Sequence, residues 1–308
     1  MAVSTGTRSG FVALAGRPNV GKSTLVNAMV GRKVAIVSDK PQTTRRAIRG
    51  VMTRPADGRQ GSFPFQLVLT DLPGVQRPRD ALTQRMQRRV EHELGDADAV
   101  LFVVNADQGI GPGDRFIASH MLAAGTDTPV ICAVNKIDRL RASATAEVLA
   151  AAAALPIVDE VFPISAKDGT GVEPLIERLA ELIPESPLLY PPEERSDQPS
   201  EVHLAELIRE QVLRRTRDEL PHSVEVAVEE LTGRDDGLIE VRAQVWAETE
   251  SQKGILIGKG GQMIREIGTA ARKELERELG AKVFLDLKVR VREHWRRDEG
   301  LLDRLGID

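Results

Sequence analysis

The chain has few of the residues that mark secreted, disulfide-linked or membrane-spanning proteins. It contains one cysteine, Cys132, so no disulfide can form within it. Cys132 lies in an apolar run, which predicts a buried strand thiol in a reducing compartment. No stretch holds the ~20 apolar residues that cross a bilayer. Residues 1–10 are polar and lack the apolar core of a secretion signal. These absences predict a cytoplasmic protein.

The chain also lacks an excess of either charge. Its 42 basic and 46 acidic residues give a formal net charge of -4. Overall electrostatics therefore predict attraction neither to nucleic acid nor to membranes, and any such partner must be recognised by a local patch. The hydrophobic fraction of 41% is ordinary for a globular protein, and 308 residues exceed what one core usually organises. We expect two domains.

Short apolar runs alternate with stretches of helical periodicity over residues 1–183. The runs predicted as strands are Phe11–Ala15, Ala47–Met52, Phe65–Leu69, Ala99–Val104, Val130–Val134 and Val161–Ile164. The stretches predicted as helices are Lys22–Met29, Ala81–Leu94, Asp114–Ala124, Ala142–Ala153 and Gly171–Leu182. This alternation predicts an α/β domain whose mostly parallel sheet is covered by helices on both faces. Its ligand should bind at the carboxyl ends of the strands.

Residues 184–200 contain five prolines and are predicted to be an interdomain linker. Residues 201–308 form a second predicted domain of the α+β class, with no repeat of the first. Its predicted helices and strands, in order, are the helix Glu201–Glu219, the strands Ser223–Glu230 and Gly237–Glu248, the helix Met263–Leu279 and the strand Lys282–Val291. A further helix beginning at Gly254–Ile257 would make the order α–β–β–α–α–β.

A phosphate-binding loop follows the first predicted strand. The sequence there matches G-x-x-x-x-G-K-[ST] and leads into a helix, which is the context that this motif requires. Glycines let the main chain wrap a polyphosphate, Lys22 supplies a cation near its β and γ phosphates, and Ser23 offers a hydroxyl to Mg²⁺. The predicted phosphate-binding residues are Gly16, Arg17, Pro18, Asn19, Val20, Gly21, Lys22, Ser23 and Thr24.

Two motifs at later strand ends predict guanine recognition. Asn135, Lys136 and Asp138 follow the strand that ends at Val134. A carboxylate can accept both N1–H and N2–H of guanine, whereas adenine has an acceptor at N1 and would leave Asp138 unpaired. A second motif suits main-chain contact to the guanine O6. Its residues are Ser165, Ala166 and Lys167.

Two further segments are expected near the γ-phosphate. Asp71 would hold Mg²⁺ through water, and the Gly74 amide would meet the γ-phosphate; Leu72 and Pro73 lie between them. A threonine of the polar loop Pro41–Arg45 could complete the metal coordination. The residues alone leave Thr43 and Thr44 as alternatives.

These five elements, in this order, resemble the translation-factor-related GTPases of the Era, Der and MnmE group. The resemblance spans residues 10 to about 183 and implies GTP and GDP as ligands and GTP hydrolysis as the reaction. It implies that Thr44, rather than Thr43, binds Mg²⁺. Val75 stands where Ras-type proteins have a water-orienting glutamine, and the resemblance implies that K⁺, coordinated with help from Asn19, supplies charge instead. Leu72 departs from the threonine that is usual in the group.

The resemblance to this group also implies which residues take part in GTP hydrolysis. These are Lys22, Thr44, Gly74 and Asn19. Hydrolysis is expected to be slow until an ion or a partner completes the site.

The second domain carries a Gly-x-x-Gly turn between an apolar stretch and a long helix. Its residues Gly258, Lys259, Gly260 and Gly261 would let a sugar-phosphate backbone approach the main chain. Residues 253–297 hold 12 basic and 6 acidic residues, a local charge of +6. The pattern resembles a type II KH domain, which implies binding of single-stranded RNA. Trp246 and Trp295 are predicted to be packing residues.

A GTPase domain followed by one KH domain resembles the Era family of ribosome-assembly GTPases. The resemblance implies binding of 16S ribosomal RNA and the small ribosomal subunit, no DNA, and a monomer that contacts the membrane only peripherally. Two alternatives stay open. One is an RNA-binding scaffold with weak catalysis, and the other is a peripheral membrane GTPase in cell-cycle signalling.

Overall fold

The computed structural model describes residues 6–40, 42–56, 58, 63–75, 78–123, 127–216 and 220–307. The chain divides into two compact units. The first comprises Met1–Ala35, Thr44–Arg77 and Met86–Asp197. The second comprises Ile36–Thr43, Pro78–Arg85 and Gln198–Asp308. The second unit therefore includes two short segments from the first third of the chain.

The six predicted strands and five predicted helices of the first domain are all present among the described residues. The strands are β1 (Arg8–Ala15), β2 (Ile48–Arg54), β3 (Phe65–Asp71), β4 (Ala99–Asn105), β5 (Val130–Asn135) and β6 (Glu160–Ile164). The helices are α1 (Lys22–Val30), α2 (Ala81–Gly95), α3 (Pro112–Ala123), α4 (Ala142–Ala153) and α5 (Val172–Leu182). Ala124, at the end of the predicted third helix, lies outside the described residues.

The strands form one sheet in the order β2-β3-β1-β4-β5-β6. All neighbours are parallel except the edge strand β2, which is antiparallel to β3. Alternate residues of β4 face opposite sides: Leu101 and Val103 pack in the core that includes residues of α1 and α5, whereas Val100 and Phe102 pack with residues of α3. Both faces are therefore covered, as the unbroken apolar strands predict.

Most of the segment predicted as a linker belongs to the first unit. The main chain of residues 184–197 runs beside the sheet: Ser9 N donates to the Pro184 carbonyl over 3.1 Å, and Val51 N donates to the Arg195 carbonyl over 2.9 Å. The Gln66 side chain of β3, fully buried, accepts from Leu189 N at 2.8 Å. The five prolines exclude regular structure here, but they do not prevent packing.

The second unit contains five helices and three strands within its described residues. The helices are α6 (Ser200–Arg215), α7 (Leu220–Ser223), α8 (Glu250–Ile257), α9 (Gln262–Leu279) and α10 (Glu299–Arg304). The strands are β7 (Glu225–Gly233), β8 (Ile239–Ala247) and β9 (Val283–Val291). The helix α8 confirms the order α–β–β–α–α–β apart from the one-turn α7. The first helix, predicted to reach Glu219, ends at Arg215 in the structure, and residues 217–219 lie outside the described residues.

The three strands form a sheet in the order β7-β8-β9, antiparallel and then parallel. Helices α6 and α9 pack against it through an apolar core that includes Leu204, Ile208 and Ile267. Both tryptophans are buried, and the Trp295 indole N–H donates to the Ser223 carbonyl over 2.9 Å. Their predicted packing role is confirmed.

Candidate functional site

The phosphate loop leaves β1 and enters α1 through two glycines at positions where a side chain would not fit. Gly16 has φ 148°, and a Cβ there would collide with the Val103 carbonyl. Gly21 has φ 102° and would collide with the Asn135 side chain. The loop therefore lies directly against the ends of β4 and β5. Its Lys22 ammonium donates to the carbonyls of Gly16 at 3.1 Å and Arg17 at 3.0 Å.

Three oxygen-bearing side chains converge at the start of α1. Ser23 Oγ donates to Asp71 Oδ2 over 2.6 Å, and Thr44 Oγ1 lies 3.2 Å from the same oxygen and 3.2 Å from Ser23 Oγ. The other carboxylate oxygen, Asp71 Oδ1, is buried and has no hydrogen-bond partner among the described residues. One carboxylate and two hydroxyls are hard oxygen ligands, so the set fits Mg²⁺.

Burial shapes the electrostatics of this pocket. It lowers the pKa of Lys22 to about 8, although the nearby Asp71 carboxylate acts in the opposite direction. It raises the pKa of the Asp71 carboxyl, against the effects of Lys22, Ser23 and Thr44. Both shifts favour uncharged forms, so each charge lacks sufficient compensation from the protein. A polyphosphate beside Lys22 and a divalent cation beside Asp71 would supply it.

The end of β5 supports the phosphate loop from its other side. Asn135 Nδ2 donates to the Val20 carbonyl over 2.9 Å, and Lys136 Nζ donates to the Asn19 carbonyl over 2.6 Å. Lys136 has φ 70° and Asn19 has φ 63°, which are uncommon for residues other than glycine. The base-recognition motif and the phosphate loop are therefore joined by direct hydrogen bonds. Asn135 and Lys136 here contact the protein itself.

Asp138 is exposed at the rim of the crevice that the phosphate loop forms with the segments after β5 and β6. Ser165 Oγ donates to Asp138 Oδ1 over 2.9 Å, and Ala166 N donates to the Asn135 side chain over 2.9 Å. The segment that follows β6 thus orients the side chains of Asn135 and Asp138. Lys167 is exposed next to them.

The structure brings the sequence-predicted nucleotide residues together in the first unit. Gly74 is tightly packed against the loop, where a Cβ would lie 2.7 Å from Pro18 N. Leu72 and Pro73 are buried, and Thr24 is half-buried. The two candidate threonines differ: Thr43 Oγ1 donates to the Lys40 carbonyl over 2.6 Å, whereas the Thr44 hydroxyl lies at Asp71. This placement favours Thr44. Pro41 lies outside the described residues.

The Gly-x-x-Gly turn joins α8 to α9 in the second unit. Gly258, Gly260 and Gly261 all have positive φ, of 72°, 58° and 76°. A Cβ at Gly258 would lie 2.7 Å from Met263 Cβ, so this glycine permits the tight turn. At Gly260 and Gly261 no atom lies within 4 Å of such a Cβ, so the main chain there is open to a ligand. Lys259 is exposed beside them.

A cleft of about 520 Å³ begins at this turn and continues between α9 and the edge strand β9. Its floor is apolar and its margin is basic. The lining residues are Gly261, Ile264, Arg265, Gly268, Thr269, Arg272, Val283, Phe284, Leu285 and Leu287. Sequence reasoning found the turn but not these side chains. The available sequence signal was Phe284 in the last predicted strand, because aromatic side chains stack on unpaired bases. In the structure this side chain is half-exposed.

Two family models match the chain. Residues 11–136 match the family model described as 50S ribosome-binding GTPase, and residues 219–296 match that of the KH domain. No helix among the described residues is long and apolar enough to span a bilayer.

Curated relatives and solved structures match nearly the whole chain. GTPase Era of Mycobacterium bovis is 46% identical over 97% of this chain and 98% of its own, and GTPase Era of Mycolicibacterium smegmatis is 46% identical over 97% and 99%. Aquifex aeolicus Era bound to GDP and aluminium fluoride superposes with a TM-score of 0.91 at 34% identity, over 97% of this chain and 99% of that one. Era in complex with MgGDPNP and nucleotides 1506–1542 of 16S ribosomal RNA gives 0.92 at 34%, over 98% and 99%. The chain belongs to the Era family of GTPases.

Proposed function

We propose that this protein is a GTP-hydrolysing switch that binds the 3′ region of 16S ribosomal RNA through its second unit during assembly of the small ribosomal subunit. The observation that carries the nucleotide part is the convergence of Ser23, Thr44 and Asp71 on one point beside Lys22. The relative solved with MgGDPNP and 16S ribosomal RNA supports both parts.

Guanine selection is assigned to Asp138. Its carboxylate accepts from N1–H and N2–H of guanine, and Ser165 holds it in place through a 2.9 Å hydrogen bond. Adenine would leave this charged acceptor unmatched, which a polar site penalises strongly. Asn135 and Lys136 connect the base end of the crevice to the phosphate end.

The phosphate end is assigned to the loop residues 16–24. Lys22 leaves its two carbonyl partners for the β and γ phosphates, and the main-chain amides of the loop orient the same groups. Ser23, Thr44 and Asp71 would hold Mg²⁺, which would offset the negative charge of the phosphates. Gly74 places its amide toward the γ-phosphate. Asn19 is assigned to K⁺, since the apolar Val75 cannot orient water.

RNA binding is assigned to the cleft between α9 and β9. The open main chain of Gly260 and Gly261, with Lys259, suits a sugar-phosphate backbone, and the apolar floor suits unstacked bases. The protein would act as a monomer in the cytoplasm, with any contact to the membrane being peripheral.

Calorimetry and phosphate release together test the proposal. Wild-type protein with Mg²⁺ should bind GTP and GDP much more tightly than ATP, and Lys22→Ala should bind neither guanine nucleotide. Phosphate release should be faster in K⁺ than in Na⁺ and should rise with an RNA that carries the 3′ end of 16S ribosomal RNA. Equal affinity for ATP and GTP would overturn the guanine assignment, and equal rates in the two salts would remove K⁺. Binding without any phosphate release would instead favour the RNA-binding scaffold.

A further inference from the structure

We infer that Asp114 and Gly113, at the start of α3, are positioning residues for the phosphate loop, and that they act through Arg17. This inference rests on the proposed nucleotide site. Nothing in the loop motif points to these two residues, because the contact joins positions 97 residues apart.

The first contact is an ion pair that fixes the Arg17 side chain. Arg17 Nε donates to Asp114 Oδ1 over 2.8 Å, and the Asp114 side chain is fully buried. The other oxygen, Oδ2, accepts from Gly111 N at 2.9 Å. Because the main-chain N–H of Gly111, the residue before α3, holds one oxygen, the carboxylate has a fixed position, and its other oxygen provides a rigid anchor for the guanidinium group.

The second contact is steric and independent of charge. A Cβ at Gly113 would lie 2.6 Å from Arg17 Cδ and 3.4 Å from Cγ. The α3 backbone therefore lies directly against the aliphatic part of Arg17. Cδ cannot swing aside easily, because the guanidinium beyond it is held by Asp114. Glycine at position 113 is needed for this approach.

The held residue is itself part of the phosphate-binding apparatus. The Arg17 carbonyl accepts from Lys22 Nζ at 3.0 Å, and the next residue, Pro18, packs against Gly74. A shift of Arg17 would thus displace Lys22, which is assigned to the phosphates. It would also disturb the contact between Pro18 and Gly74, whose amide is assigned to the γ-phosphate. Small displacements of this kind matter because binding and catalysis depend on preset geometry.

The pair is poorly suited to a purely stabilising role. Arg17 Nη2 is buried and has no hydrogen-bond partner among the described residues. A buried donor without a partner costs free energy, and a buried ion pair is in any case weak evidence for stability. Positioning of the loop explains why a charged pair stands here.

A double-mutant cycle on nucleotide release tests the inference. Dissociation of fluorescently labelled GDP and GTP would be measured for the full chain carrying Asp114→Asn, Gly113→Ala or Arg17→Ala, and for each α3 change combined with Arg17→Ala. Each single change should speed release by about tenfold, the scale of coupling between residues in contact. In the Arg17→Ala background, which removes Cδ and the guanidinium, either α3 change should alter release by less than about twofold.

Gly95→Ala is the matched control, since no atom lies within 4 Å of a Cβ at that helical glycine. It should leave release unchanged. Thermal unfolding of the nucleotide-free variants separates positioning from folding, because a change that acts only through folding would speed release in proportion to its loss of unfolding midpoint. Additive effects on release, or no effect of the single changes, would overturn the inference. Failure of the wild-type protein to bind labelled GTP would instead overturn the proposed function.

Discussion

At the scale of single residues, base selection depends on an exposed carboxylate held by one hydroxyl. Asp138 lies at the solvent-exposed rim of the crevice, and Ser165 supplies its hydrogen bond. Asn135 is buried and Lys136 is half-buried, and both hold the phosphate loop, so the guanine edge and the phosphates are contacted by separate side chains.

Replacing Asp138 by Asn should therefore change which base is bound and leave phosphate binding intact. Asn offers one acceptor and one donor, so GTP affinity should fall by roughly 10- to 100-fold, the scale of a lost hydrogen bond to a charged group. Xanthosine triphosphate carries a carbonyl at C2 in place of the amine, and its affinity should rise because the new amide can donate to it. Competitive displacement of labelled GDP by the two nucleotides measures both effects.

Asp127→Asn provides the control, because Asp127 is an exposed aspartate in the loop before β5. It should change neither affinity. If Asp138→Asn weakened both triphosphates equally, Asp138 would be a structural residue and not the base-selecting one.

The single residues that the sequence could predict are those whose motif is local. The loop residues 16–24, the residues of 135–138 and Asp71 each occur within a short stretch beside a strand end, so strand topology alone brings them together. Asp114 could not be predicted, since its partner Arg17 is distant in sequence and an acidic residue in a first helical turn already has a local explanation. Burial also raises the pKa of the Cys132 thiol to about 12, as expected for a strand thiol packed in the core.

At the scale of elements, the proposed RNA surface is made by the pairing of a helix with a strand edge. Gly261, just before α9, and Gly268 within it have no side chains, which leaves room for the cleft beside β9. The basic residues of the cleft, Arg265 and Arg272, lie on the side of α9 that faces β9. Arg277, on the same helix, is exposed and pairs with Glu274 at 2.8 Å. Charge on α9 therefore has two different roles.

Arg272→Ala should weaken RNA binding, and Arg277→Ala should not. Removing one phosphate contact should reduce the slope of log affinity against log salt by about one. Fluorescence anisotropy with an RNA from the 3′ end of 16S ribosomal RNA, measured over a range of salt concentrations, compares the two variants. Equal losses would show that only the overall charge of the helix matters, and the cleft would then not be the binding surface.

Element positions were predicted well because apolar periodicity is strong in this chain. All six strands of the first unit and the helices between them occur where the pattern indicates, with ends that differ by a few residues. The short helices α7 and α10 were not predicted, since four and six residues are too few to show a period. The cleft itself depends on how α9 packs against β9, which no pattern within one element contains.

For the chain as a whole, the proline-rich segment determines where the chain can be truncated to give a stable first unit. Residues 184–197 supply partners to main-chain groups of β1 and β2 and to the buried Gln66. The sequence showed only a composition that resists helix and strand. A polar glutamine inside an apolar strand was the available sign that something must pack against it.

A fragment of residues 1–197 should therefore be more stable than one of residues 1–183. The shorter fragment leaves buried groups such as the Gln66 amide unpaired, and each costs about 1–3 kcal/mol. Its unfolding midpoint should be lower by roughly 5–10 °C. Both fragments lack residues 198–308, so calorimetry compares them directly, and light scattering would report association through the uncovered strand β2. Identical midpoints would show that the segment contributes nothing to the fold.

The discontinuous make-up of the second unit has a consequence for biosynthesis. Val37 N donates to Glu210 Oε1, 173 positions further along, and Arg85 pairs with Asp303, 218 positions further along. These early segments leave the ribosome long before the helices that contact them have been made. Their contacts require closure of very long loops, which slows folding. The second unit can therefore form only after residues near 303 have been synthesised, long after the segments 36–43 and 78–85 that belong to it.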